Sequence, residues 1–162
     1  MSESTDRPEN VEEILKKLCA ITAELSRDGG ESSVDEAAVK RRVVAESDGA
    51  ITLATLSQTH LVRVTVNDRN VEGRMVMGDA LKFNGVINVA SWTGNSNGWL
   101  YQWLGSGQMT LNLSNSRPPQ GNQLTITFIR GAGGALAAMY QGNPFNDGGV
   151  VSQGTGVGNL FD

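Results

Sequence analysis

Ser96 sits in the run Gly94-Asn95-Ser96-Asn97-Gly98, which fits the G-x-S-x-G pattern of a hydrolase nucleophile elbow. A serine nucleophile in that setting needs a buried strand before it, a strained turn leading into a helix after it, and a histidine base later in the chain. Val86–Trp92 suits the strand. The next residues, Trp99-Leu100-Tyr101-Gln102-Trp103, carry aromatic side chains at period two, and this favours a second strand over a helix. The only histidine, His60, precedes Ser96. Asn-rich stretches flanked by glycine are ordinary turn chemistry. The sequence therefore places Ser96 at a loop tip.

The remaining reactive groups are sparse. His60 opens an apolar alternating run, where a histidine is structural or exposed. Cys19 is the single cysteine, so no internal disulfide forms, and one His with one Cys makes no zinc constellation. The carboxylates after residue 48 are Asp68, Glu72, Asp79, Asp147 and Asp162. Glu72 and Asp79 would serve as an acid/base pair only if the fold joined them. Gly131-Ala132-Gly133-Gly134 and Gly154-Thr155-Gly156-Val157-Gly158 lack the Lys-Ser/Thr of a phosphate loop. The expectation is no enzyme, no cofactor and no metal. Trp92, Trp99, Tyr101 and Trp103 read first as core aromatics. The sharper reading sets Trp99 beside Asn95 and Asn97 as a glycan-binding patch, with the indole stacked on a sugar ring and the amides bonding its hydroxyls.

The elements that must position these groups change character along the chain. Residues 1–9 read as a disordered tail. Asn10 with Glu13 opens a helix in which Val11, Ile14, Leu18, Ile21 and Leu25 recur at heptad a/d spacing, ending at Gly29-Gly30. That stripe either packs on its own domain or forms a short oligomerising bundle. Ser33-x-x-Glu36 is a second capping box before a helix of residues 34–46. Its Lys40-Arg41-Arg42 reads as a solvated face with Glu36–Lys40 and Arg42–Glu46 pairs, more readily than as a contact for an acidic partner.

From Ala50 the period becomes two. Candidate strands are Ile51–Leu56, Leu61–Val66, Val71–Met77, Leu81–Val89, Trp99–Leu104, Met109–Leu113 and Leu124–Ile129, with a hairpin turn at Asn67-Asp68-Arg69-Asn70. Short strands at this spacing predict a β-sandwich, jelly-roll-like, preceded by one or two N-terminal α-helices. The expected division is a tail and helical segment at 1–48, a β-sandwich at 49–130 and a glycine-rich C-terminal arm at 131–162. The arm carries Met139, Tyr140, Phe145, Val150, Val151, Leu160 and Phe161, which a plain flexible linker does not need.

Composition adds one further clue. Of 13 Lys+Arg and 17 Asp+Glu, residues 1–48 hold 7 and 12, leaving 6 and 5 for residues 49–162. The β part is covered instead by Asn, Gln, Ser, Thr and Gly, and charge depletion marks surfaces that partners cover. A net charge of −4 gives no general attraction for nucleic acid. The N-terminus has no signal-peptide h-region and no apolar run is long enough for a spanning helix, so the expected setting is a cytoplasm, without a membrane.

A capped helix with a heptad stripe, a low-charge β domain and a glycine-rich apolar arm resembles the structural proteins of viruses and bacteriophages: small capsid, decoration or head-fibre subunits. The resemblance covers residues 10–162 in overall character. It implies a virion location, self-assembly into a homo-oligomer, contacts with other virion proteins and no catalysis. Val11, Ile14, Leu18, Ile21 and Leu25, with Met139, Tyr140, Phe145, Leu160 and Phe161, would then form the oligomer interface. The alternative is a carbohydrate-binding module or receptor-binding tip using Asn95, Asn97 and Trp99.

Overall fold

In a computed structural model, residues 10–29, 34–88, 92–131, 134–145 and 151–162 are described. The expected tail at 1–9, the capping residue Ser33 and the arm residue Val150 lie outside them. Three helices come first: α1 (Val11–Gly29), α2 (Glu36–Glu46) and a single turn, α3 (Leu53–Leu56). Eight strands come after them: β1 (Thr59–Asp68), β2 (Asn70–Met75), β3 (Leu81–Ile87), β4 (Trp92–Gln102), β5 (Gly107–Ser116), β6 (Gln123–Ile129), β7 (Leu136–Gly142) and β8 (Val151–Leu160).

The strands close into one antiparallel barrel in the order β1-β2-β3-β8-β5-β6-β7-β4. This corrects the expected β-sandwich or jelly roll. In a sandwich two sheets face each other across a core. Here β4 pairs with both β1 and β7, and β8 pairs with both β3 and β5, so no edge is left. Closure satisfies every strand's backbone without a second sheet. Eight strands enclose an interior just wide enough for side chains to fill. Val62, Val64 and Val66 of β1 point inward, with Leu111 and Leu113 of β5 and Ile126 and Phe128 of β6. Phe83 meets Phe128 edge-on at 4.8 Å between ring centroids, and Trp92 meets Phe145 at 5.6 Å.

The segment expected to be an arm docked on a neighbour supplies β7 and β8. Tyr140, Phe145 and Leu160 are wholly buried in the chain's own barrel, Met139 is buried under the helices, and Phe161 is half-buried. Glycine allows β8 to fit. A Cβ on Gly156 would collide with the carbonyl of Val86, and one on Gly158 with that of Asn84, both on the adjacent β3. The Asn67–Asn70 hairpin forms as expected, with Asp68 at φ 63°. The expected strand at Ile51–Leu56 does not form. Thr52 Oγ accepts the Thr55 N–H at 3.2 Å and caps the turn α3 instead.

The helices lie on one outer side of the barrel. Val11, Ile14, Leu18 and Ile21 are buried as a core face, and Leu25 is half-buried. Leu15, buried too, widens the a/d stripe into the broad apolar face of an ordinary surface helix. These residues cluster with Leu61, Trp99, Tyr101, Trp103 and Met139 from the outer faces of β1, β4 and β7, and with Val39 and Val43 of α2. The stripe thus finds its apolar partner within the chain. Each fully buried large side chain contributes about 1.5–3 kcal/mol. Asp35 caps α2, its carboxylate accepting the Ala37 N–H at 3.0 Å. Both expected i,i+4 pairs are present, Lys40–Glu36 at 3.3 Å and Arg42–Glu46 at 2.9 Å. Arg42 also reaches Glu24 of α1 at 2.6 Å, and Lys40 donates to the Thr59 carbonyl at 2.8 Å.

Candidate binding surfaces

Ser96 lies in the middle of β4, neither at a loop tip nor at a strand–helix elbow. Its side chain points into the barrel, wholly buried, with Oγ 2.7 Å from the Tyr140 hydroxyl. On the opposite face of β4, Asn95, Asn97 and Trp99 line up at period two, so the three residues expected to share a surface do share one. Their exposure separates them. Asn95 is exposed and accepts from Thr65 Oγ at 3.0 Å, while Asn97 accepts from Arg63 Nε at 3.1 Å. Trp99 lies wholly buried beneath α1, its Nε1 donating to Thr22 Oγ at 2.8 Å. Neither face of that indole is open for stacking on a sugar. The Thr22 contact has no signal in the sequence, because it joins residues far apart along the chain.

A groove of about 430 Å³ opens beside Trp99, between α1 and the barrel. Cys19, Ala20, Thr22 and Ala23 form its helix side. Asn97, Gln141 and Asn143 form its barrel side, with Asn122 and Gln123 from the β5–β6 connection. Gly98 and Gly142, register partners on β4 and β7, also line it. Cys19 donates to the Gln141 carbonyl at 3.2 Å, and burial pushes its thiol pKa up to about 12. The raised pKa keeps the thiol in its neutral form near pH 7.

His60, Lys82 and Asp162 share a second, more open depression near Gln102 and Trp103. Burial, and then the Lys82 cation, hold the His60 imidazole below its ordinary pKa, with Glu36 opposing. Burial likewise lowers Lys82, opposed by Asp162. Glu72 and Asp79, the candidate acid/base pair, do line one cleft. Arg74 stands with them, 3.5 Å from the Glu72 carboxylate and donating to the Asp79 carbonyl at 3.3 Å. This ties Glu72 to a cation. Gly154, Gly156 and Gly158 lie within β8, and Gly131 and Gly134 belong to the β6–β7 connection, where Arg130 N–H meets the Ala135 carbonyl at 3.0 Å. Among the described residues no three His, Cys, Asp or Glu side chains gather in a metal-binding group. No described helix is long and apolar enough to cross a membrane.

The third surface is the barrel side away from the helices. Strands β4 to β8 contain no Asp, Glu, Lys or Arg. On the outer face of β5, β6 and β8 stand Gln108, Thr110, Asn112, Ser114, Thr125, Thr127, Gln153, Thr155 and Asn159, exposed or half-buried. Cross-strand bonds fix part of this grid: Thr155 Oγ to Asn112 Oδ1 at 2.6 Å, and Thr155 N–H to Asn88 Oδ1 at 3.0 Å. Val86 of β3 and Val157 of β8 are register partners, 53% and 58% exposed. The row continues through Thr110 to Ile129. No protein-family model, curated protein or solved structure matches this chain.

Proposed function

We propose that this chain is a non-enzymatic structural protein that works by surface contact, as a capsid, decoration or fibre subunit of a virion does. The observation that supports this is the charge-free outer face of β5, β6 and β8, with the exposed pair Val86–Val157 beside it. Covering such a face strands no unpaired charge, which is the main cost of burying a polar surface. Its amides and hydroxyls both donate and accept, so they can pair with many partner surfaces. The barrel beneath is closed and filled, so contact orders little further chain. The contact surface in this reading differs from the one expected from the sequence, since the helix stripe and the β7–β8 segment are occupied within the chain.

The test is light scattering on size-separated protein, with electron microscopy of the same fractions. A discrete oligomer or particle is expected, and Val157→Lys should shift it to monomer without changing the unfolding midpoint. A wild-type monomer at every concentration tested sinks the self-assembly reading.

A further inference from the structure

We propose that the groove between α1 and strands β4 and β7 is a binding site for a neutral saccharide. It is distinct from the charge-free face of β5, β6 and β8, and owes nothing to that face. The groove's volume, about 430 Å³, falls within the range of about 300–1,000 Å³ typical of small-molecule sites. Its two walls differ in chemistry. The helix wall is small and apolar, made by the exposed methyl groups of Ala20 and Ala23 and the un-ionised thiol of Cys19. The opposite wall is a set of side-chain carboxamides, Asn97, Asn122 and Asn143 among them.

A carboxamide both donates and accepts and carries no charge. A wall of them matches a ligand whose groups also donate and accept, which describes the hydroxyl rim of a pyranose. The C–H face of the same ring matches the Ala20–Ala23 wall. The amides are held before any ligand arrives. Asn143 Oδ1 accepts the Asn97 N–H at 2.9 Å, and this directs the remaining Asn143 NH₂ group as a donor. Asn97 Oδ1 is in turn held by Arg63. Such preorganisation reduces the ordering cost of binding. An anionic ligand would meet one cation on the wall, Lys16, and no other charged lining group. With no second cation in the lining to clamp a sulfate or carboxylate, recognition runs through uncharged amides, which suit a neutral sugar.

The experiment uses the whole chain on a printed array of neutral, sialylated and sulfated oligosaccharides. The best neutral hit is then titrated while backbone amide resonances are followed by NMR. The expected result is preference for neutral glycans, with shifts concentrated at Ala20, Ala23, Asn97, Asn122 and Asn143. Ala23→Trp, at an exposed helix position, should fill the groove and abolish binding at an unchanged unfolding midpoint. Asn143→Ala should weaken it at least tenfold. The proposal is overturned if no neutral glycan binds, if anionic glycans bind better, if Ala23→Trp binds as wild type does, or if the shifts map away from α1. Failure here leaves the light-scattering result on assembly untouched, so the two readings fail separately.

Discussion

The Ser96 and Tyr140 hydroxyls lie 2.7 Å apart inside the barrel, and both side chains are wholly buried. This bond explains why a polar GNSNG run continues as strand. Ser96 turns inward and is partnered, and Gly98, two residues on, lets β4 run close against β7. A Cβ at Gly98 would strike the Gln141 carbonyl, and one at Gly142 would strike the Tyr140 hydroxyl. The serine's partner is a phenol, and the only histidine in the sequence, His60, stands on β1 opposite Leu100.

Removing either hydroxyl should cost about 1 kcal/mol, because the partner loses a buried hydrogen bond. Ser96→Ala and Tyr140→Phe, measured by urea unfolding, should each lower stability. The double variant should lose less than the two single losses combined, by about 0.5 kcal/mol or more. Strict additivity would show that the two groups do not interact. A fluorophosphonate probe should leave Ser96 unlabelled, and labelling there would revive the nucleophile.

Gly156→Ala tests whether β8 is a barrel stave or a detachable arm. The added Cβ would meet the Val86 carbonyl and the Ile87 Cα, which are backbone atoms with little room to yield. Overpacking of this kind costs typically about 1–3 kcal/mol. The expected outcome is a lowered unfolding midpoint in a single transition. An unchanged midpoint would mean that β8 does not close the barrel.

β8 also shows why the closure is hard to read from the sequence. Its inward positions at 154, 156 and 158 are all glycine, so the apolar half of the period-two signal has no side chain to carry it. β7 is hidden for the opposite reason. Met139 packs with the helices while Ala138 and Tyr140 belong to the barrel core, so burial on both faces leaves a continuous apolar run without alternation. By contrast β1, β5 and β6 bury one face and wet the other, and their alternation is plain in the sequence. The helix stripe is legible as a stripe. What it packs against is not, because its partners Leu61, Trp99 and Met139 are brought to it only by closure. Of the residues lining the groove, Asn97 and Trp99 are the ones the sequence marks as candidate contacts. Cys19, Asn122 and Asn143 join them across long sequence separations that no local pattern reports.

Cys19 makes a testable statement at high pH. Its folded pKa of about 12 lies above the ordinary 9.0, with burial the first cause. A raised pKa means that the fold favours the protonated thiol. That contribution is complete below pH 9.0 and is lost as pH rises toward 12, because the unfolded chain releases its proton first. Relative to Cys19→Ala, wild-type stability should therefore fall more steeply across this window. Iodoacetamide should label the folded protein at pH 8.5 far more slowly than the urea-unfolded chain. Equal labelling rates would place the thiol in solvent.

His60 makes the complementary statement at low pH. It is the only histidine in the sequence, so its ring resonances report one site. Burial is the largest cause of its lowered pKa, followed by the Lys82 cation, with Lys40 adding to it and Glu36 opposing. A depressed folded pKa means that the neutral ring is the form the fold accepts. The stability this brings is present above the ordinary value of 6.5 and is lost as pH falls below it, because the unfolded chain takes up its proton first. The NMR titration of the ring should therefore have its midpoint below 6.5. Wild type should lose more stability on acidification than His60→Gln, which has no proton to bind. Replacing Lys82 by Met removes the second cause and should raise the His60 midpoint toward 6.5 while the ring stays half-buried. A His60 midpoint at or above 6.5 in the wild type would show that neither burial nor Lys82 controls this ring.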